Sequence, residues 1–214
     1  MNIRIQCLSL LIILFTFNPT ILSQCFLNAK KGGIELEKLL KGLLITYIFI
    51  VLTVFILMPT ALKPRLICGD LWYFLGIATI PIVFLGEISV VALCLKAKGI
   101  DIEGVKILSA WKKCDSKSII CTALIGAFEE LVYRLMWFYI LANVFNINTI
   151  IILIITSIVY ALNHILMGKE IFLSKIWSGL IYGLIYYLSG YCIVVPIITH
   201  CIGNVLILIK GGRE

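Results

Sequence analysis

"AFEELVYRLMWFYIL", Ala127 to Leu141, sets Glu129, Glu130 and Arg134 inside a run otherwise apolar enough to cross a bilayer. A charge at the centre of a span costs roughly 2.5–3.5 kcal/mol on insertion scales, so such residues pair, line a cavity or carry chemistry. The rest of the chain says that the run is indeed a span. Of 214 residues, 62% are apolar and the mean hydropathy is +1.12, well above the roughly half-apolar content of a soluble domain.

A hydrocarbon core about 30 Å thick needs about 20 apolar residues per helix, and windows of that size give about seven spans. They run from Cys7 to Leu27, Leu39 to Leu62, Leu71 to Leu95, Ser118 to Leu141, Ile150 to Met167, Ile171 to Leu188 and Tyr191 to Ile209. Little is left for a soluble domain. The apolar runs are continuous rather than alternating, and backbone groups in lipid must be satisfied within their own segment, so the expected fold class is all-α, a polytopic transmembrane helix bundle rather than a barrel. Arg4 ahead of an apolar stretch ending near Ile21 to Cys25 has the outline of a cleaved signal. Its length, the interruption at Asn18 and Pro19, and Gln24 before Cys25 favour a retained span.

Charge placement gives an orientation. The segments around Lys30 to Lys41, Lys96 to Lys117 and Lys169 to Lys175, with the tail carrying Lys210 and Arg213, hold nearly all the basic residues, whereas the opposite side has Arg4, Lys63 and Arg65. The positive-inside rule then puts the amino terminus outside and the carboxyl terminus in the cytoplasm of a multi-pass cell-membrane protein. The net charge of +7 follows from this bias and suits anionic lipid, so the bilayer is the expected partner and nucleic acid is not. Eight cysteines show no metal or redox spacing and read as small apolar fillers. The spacing of Gly179 and Gly183 allows close helix approach in the sixth span.

Within the fourth span Glu130 and Arg134 are four apart, acid first, and form an expected intrahelical pair. Glu129 points about 100° away from Glu130 and is poorly served by the same arginine, which leaves it spare. Both histidines of the chain fall in late spans, in "YALNH" (Tyr160 to His164) and "HCIGN" (His200 to Asn204). Each pairs a polar group with another four residues away on one helix face. Measured from Lys117, Lys169 and Lys210 at about 1.5 Å per residue, Glu129, His200, Asn204 and His164 lie about 18, 15, 9 and 8 Å deep, all in the cytoplasmic half. One cavity open to the cytosol is the expectation. Glu87, near Pro81, and Asp70, at a span edge, stay outside the candidate set.

The motifs "EELVYR", "YALNH" and "HCIGN", in this order on separate apolar segments, resemble the CPBP family of intramembrane proteases. This family takes in the type II CAAX prenyl endopeptidases and the bacteriocin-processing or self-immunity proteins also called Abi. The resemblance covers Ser118 to Lys210, so residues 118–214 are expected to form the catalytic helical core and residues 1–117 an amino-terminal region of three spans with no signature. Tyr160 stands where the family more often has Phe.

Peptide hydrolysis needs an activated water and donors for the oxyanion. The resemblance implies that Glu129 and His164 activate the water, that His200 and Asn204 support the oxyanion, and that Glu130, Arg134 and Tyr160 stand behind them. Glu129, His164 and His200 would suffice for a catalytic zinc with an open fourth position. Against this, there is no His-Glu-x-x-His pair and no acid close in sequence to either histidine, so a metal-free glutamate mechanism is favoured. The partner expected is a peptide or protein substrate at the membrane, whether a prenylated carboxyl terminus, a bacteriocin leader or a signalling peptide. Heavy Ile, Leu and Lys usage suggests an AT-rich bacterial source, which favours peptide maturation or immunity. A transporter lacks support because no repeated halves with matching broken helices are visible. A non-catalytic membrane scaffold or regulator of the same family is the competing class, and the intact motif set argues against it. Nothing in the sequence specifies an oligomeric state.

Overall fold

In the computed structural model residues 3–26, 36–100, 104 and 114–211 are described. Lys30, Lys31, Lys106, Lys112, Lys113 and Arg213, which contribute to the charge bias, lie outside them. Among the described residues the chain is predominantly helical and forms no strand, with an isolated parallel bridge between Arg65 and Cys192. The helices form an all-α bundle. Three stretches, Glu37–Leu57, Asp70–Ala97 and Lys169–Leu188, are long and apolar enough to cross a membrane, and Ile3–Phe15, Thr149–Leu162 and Val194–Lys210 are shorter apolar helices. Large apolar side chains such as Ile56 (76% exposed) and Phe74 (72% exposed) point outward, as the lipid-facing surface of a membrane-embedded bundle requires.

The first expected span is two helices, α1 (Ile3–Phe15) and α2 (Pro19–Phe26). Pro19 cannot continue α1 because it has no N–H to donate, and Asn18 uses the break. Its Oδ1 accepts from the N–H of Ile21 and its Nδ2 donates to the carbonyl of Leu162 across the bundle. Next comes α3 (Leu36–Leu57), and then α4 (Asp70–Ala78) and α5 (Ile80–Ala97), which meet at Thr79 just ahead of Pro81. The chain between α3 and α4 is tied to the far end of the sequence, since Arg65 donates to the carbonyl of Gly190 and accepts at its own carbonyl from the N–H of Ile193.

The fourth expected span is longer and less regular than its sequence suggests. It begins as α6 (Ser116–Glu130), widens into π turns over Leu131–Met136, returns to α for α7 (Trp137–Tyr139) and widens again over Ile140–Val144. Such π turns are rare and concentrate at functional sites. After it come α8 (Thr149–Leu162), α9 (Lys169–Leu188) and α10 (Val194–Lys210). The fifth span differs from expectation at its end, where the α-helix stops at Leu162 and His164 precedes a short 3₁₀ turn, Ile165–Met167.

Helix α6 packs between α3 and α10, and α9 packs between α5 and α8. The glycine spacing on α9 does what it predicts. A Cβ on Gly179 would stand 3.0 Å from Cα of Ser157, and one on Gly183 would stand 2.9 Å from Leu153, so α8 and α9 approach as closely as their backbones allow.

Candidate active site

The helix carrying the acidic pair starts where it does because of Asp115. Its carboxylate accepts from the N–H of Ser118 at 2.8 Å, while the Ser118 hydroxyl reaches back to the N–H of Asp115, a reciprocal cap that satisfies two orphan donors. These hydrogen bonds from Ser118, backbone first, hold the Asp115 carboxyl below its ordinary range. Four turns on, the same helix delivers Glu129 and Glu130 to the interior, at 3% and 0% exposure.

Glu130 is the hub. Its Oε1 accepts from Nη1 of Arg134 at 3.2 Å, the pair expected from the spacing on α6, and also lies 2.7 Å from Nδ1 of His200 on α10. A carboxylate paired with arginine can only accept, so Nδ1 carries a hydrogen and Nε2 is the ring atom turned to the other side. There Nε2 stands 3.5 Å from Oε2 of Glu129 and 3.4 Å from the hydroxyl of Tyr160. Tyr182 stacks on the imidazole, ring centroids 4.6 Å apart. Arg134 is fully buried, donates from Nη2 to the carbonyl of Gly179 at 2.9 Å, and lies 4.7 Å from the Tyr160 ring centroid. The widened turn after Glu130 thus places a charge in the interior with a carboxylate, a carbonyl and an aromatic face around it.

Glu129 is not spare. Its Oε1 accepts from Tyr47 on α3 and from Nδ2 of Asn163, each at 3.2 Å, and its Oε2 is left facing His200. Spacing within α6 could reveal a missing arginine partner but not donors from helices more than thirty residues away. His164 is placed apart from this cluster. Its Nδ1 lies 3.3 Å from the Tyr160 carbonyl and its ring 5.1 Å from the Tyr160 ring, and no hydrogen bond or ion pair joins it to Glu129 or His200 among the described residues. Asn204 sits one turn beyond His200 on α10 beside Gly126 of α6, where a Cβ would come within 3.2 Å of its Nδ2 and 3.6 Å of the His200 ring. Gly126 therefore lets α6 and α10 close over the polar cluster.

Four residues of this neighbourhood are not among the candidates that the sequence singles out, namely Tyr47, Asn163, Tyr182 and Gly126. Asn163 lies inside the quoted "YALNH" motif, and its polarity next to His164 is the hint that was available. Tyr47 and Tyr182 are aromatic residues in apolar spans and look there like ordinary core. Lys175, grouped by sequence with the basic ends of spans, is instead on α9 and donates to both carboxylate oxygens of Glu87 on α5, at 2.8 and 3.0 Å. Glu87 is thus an ion-pair partner between two helices as well as a neighbour of the Pro81 kink.

The donor set bears on a metal. Among the described residues no three His, Cys, Asp or Glu side chains are grouped so as to hold an ion, and Glu129, His164 and His200 as placed do not form the three-ligand set that a catalytic zinc needs. No step below is routed through a metal.

Residues 116–206 match the family model described as type II CAAX prenyl endopeptidase Rce1-like. No curated protein and no solved structure matches the chain. The matched segment runs from the start of α6 into α10 and contains Glu129, Glu130, Arg134, Tyr160, His164, His200 and Asn204. Residues 116–206 of this membrane-embedded chain are thus similar to the Rce1-like family of CAAX-type endopeptidases, in agreement with the CPBP resemblance of its motifs.

Proposed function

We propose that the protein is an intramembrane endopeptidase that hydrolyses a peptide bond of a membrane-associated peptide with a glutamate-activated water. The observation that carries this reading is the pairing of two differently held carboxylates with one imidazole. Glu130 is committed to Arg134 and to Nδ1 of His200, while Glu129 is anchored at one oxygen and presents the other, 3.5 Å from Nε2. A water held at Oε2 of Glu129 has a base on one side and a ring nitrogen on the other.

In the reaction Glu129 takes a proton from that water as its oxygen attacks the scissile carbonyl carbon. The carbonyl π electrons move to oxygen, and His200, acting as an imidazolium that keeps Nδ1–H on Glu130 and carries a second hydrogen on Nε2, donates with the Asn204 amide to the resulting oxyanion. The tetrahedral intermediate collapses, the C–N bond breaks, and the proton held by Glu129 passes to the leaving amine. His164, whose ring packs on Tyr160 apart from Glu129 and His200, is assigned the orientation of the substrate backbone. No metal takes part. The family match over residues 116–206 supports proteolysis.

The test is cleavage in labelled water. Full-length protein in proteoliposomes is incubated in H₂¹⁸O with a panel of hydrophobic peptides bearing prenylated or free carboxyl-terminal cysteines and with bacteriocin-type leaders. An endopeptidase gives two fragments, with ¹⁸O incorporated in the new carboxyl group. A membrane scaffold or immunity protein without catalysis gives intact peptides throughout.

A further inference from the structure

The amide of Asn163 closes α8, the helix that brings Tyr160 into the cluster, and it is buried, with 3% exposure. All its hydrogen-bonding capacity is engaged. Oδ1 accepts from the backbone N–H of Thr20 at 2.8 Å and from the Thr20 hydroxyl, while Nδ2 donates to the Tyr47 hydroxyl at 2.7 Å and to Oε1 of Glu129 at 3.2 Å. The orientation of this amide is not interchangeable. A backbone N–H can only donate, so the atom facing Thr20 must be the oxygen, and the NH₂ group must face Glu129.

Tyr47 completes the arrangement. Its ring, fully buried on α3, lies parallel to Phe128 with centroids 6.5 Å apart, and its hydroxyl takes the hydrogen of Asn163 and gives its own to the same carboxylate oxygen. Two donors therefore converge on Oε1 and none of them touches Oε2. A carboxylate free to rotate would offer either oxygen to a water, whereas this one has a fixed anchored oxygen and a fixed working one.

We propose that Asn163 and Tyr47 are positioning residues for the base, selecting Oε2 of Glu129 as the oxygen that takes the proton. Through Thr20 they make α2 and α3, which lie outside the matched family segment, part of the catalytic apparatus. The inference rests on the role given to Glu129 above. It also accounts for why the carboxylate survives burial, since each oxygen has a defined neighbour.

The experiment compares wild type with Tyr47→Phe, Asn163→Leu, the double variant and Glu129→Gln, each full length in proteoliposomes. Cleavage of whichever panel peptide the wild type hydrolyses is followed, with kcat normalised to folded protein and with a melting curve for each. A misplaced reacting group costs on the order of 100-fold in rate. We expect kcat to fall about 10-fold for Tyr47→Phe and about 100-fold for Asn163→Leu, with KM little changed. The double variant should lose less than the product of the two, because both donors serve one oxygen. A purely structural role would lower the melting temperature and the folded fraction but leave kcat per folded molecule unchanged. Tyr47→Phe removes a single oxygen atom and decides the matter if Asn163→Leu does not fold. Full kcat in the folded variants beside an inactive Glu129→Gln overturns the positioning role and spares the base, whereas an active Glu129→Gln overturns both.

Discussion

Nδ1 of His200 stands 2.7 Å from Oε1 of Glu130, on an oxygen that also receives Nη1 of Arg134. One buried carboxylate thus holds together residues seventy positions apart, fixes which nitrogen of the imidazole carries hydrogen, and turns the other toward Glu129. The consequences can be separated experimentally, because the same contact has a structural share and a catalytic share.

Glu130→Ala leaves a fully buried guanidinium without its counter-ion, and breaking one half of a buried pair costs about 3–5 kcal/mol. Adding Arg134→Met should recover much of that stability, since well-packed apolar replacements of buried pairs are often neutral. Cleavage should not return, because His200 has still lost the acceptor at Nδ1. Chemical denaturation in detergent beside a cleavage assay separates the two. Recovery of both together would reduce Glu130 to a packing role.

Two glycines should respond differently to alanine. At Gly179 the added carbon would press on Cα of Ser157 at 3.0 Å, which is backbone and cannot swing aside. Overpacking of this kind costs about 1–3 kcal/mol, read as a lower melting temperature. At Gly126 the nearest atom is the end of the Asn204 amide at 3.2 Å. That side chain can rotate away, so Gly126→Ala should keep its stability and lose cleavage rate through displaced oxyanion support.

The cap at Asp115 predicts a pH dependence with a definite sign. Hydrogen bonds from Ser118 depress the Asp115 carboxyl in the folded protein, so its contribution is present above the ordinary carboxylate range and fades as pH falls from that range through the lower folded-state value. Hydrogen-exchange protection at the first turn of α6, taken after correction for the slower intrinsic exchange in acid, should fall on acidification in wild type. In Asp115→Asn, an uncharged residue that also caps well, this local acid sensitivity should disappear, and its persistence would assign it to another group.

Chelation addresses the metal. With Glu129, His164 and His200 not gathered as ligands, cleavage by purified protein should be unchanged after prolonged EDTA or phenanthroline treatment. Loss of activity that added zinc restores would replace the glutamate-only mechanism by a metal-assisted one.

How far the sequence reaches can be judged residue by residue. The membrane bundle is legible because apolar runs about 20 residues long have few other uses, and the Glu130–Arg134 pair is legible because helical spacing is local. The close approach of α8 and α9 follows from Gly179 and Gly183 for the same reason. Contacts made across the bundle are another matter. That His200 meets Glu130, or that Tyr47 and Asn163 anchor Glu129, depends on how helices pack, and no periodicity along one helix encodes it. The break at Asn18 and Pro19 was visible as an interruption, but its outcome, two helices tied through Asn18 to the end of α8, needed the partner carbonyl of Leu162. His164 was placed within a helix face and lies past its end, because Asn163 directs its side chain to Thr20, Tyr47 and Glu129 where α8 stops.

The most direct measurement compares the cleavage rates of wild type and Glu129→Gln, reconstituted at equal folded amounts, on the same peptide. The variant keeps the shape of the side chain and both oxygen-side neighbours can still approach it, but it cannot accept a proton from water. A fall on the order of 100- to 10,000-fold, with normal insertion and melting, is the predicted result for a general base. A variant that cleaves as fast as wild type would contradict the account.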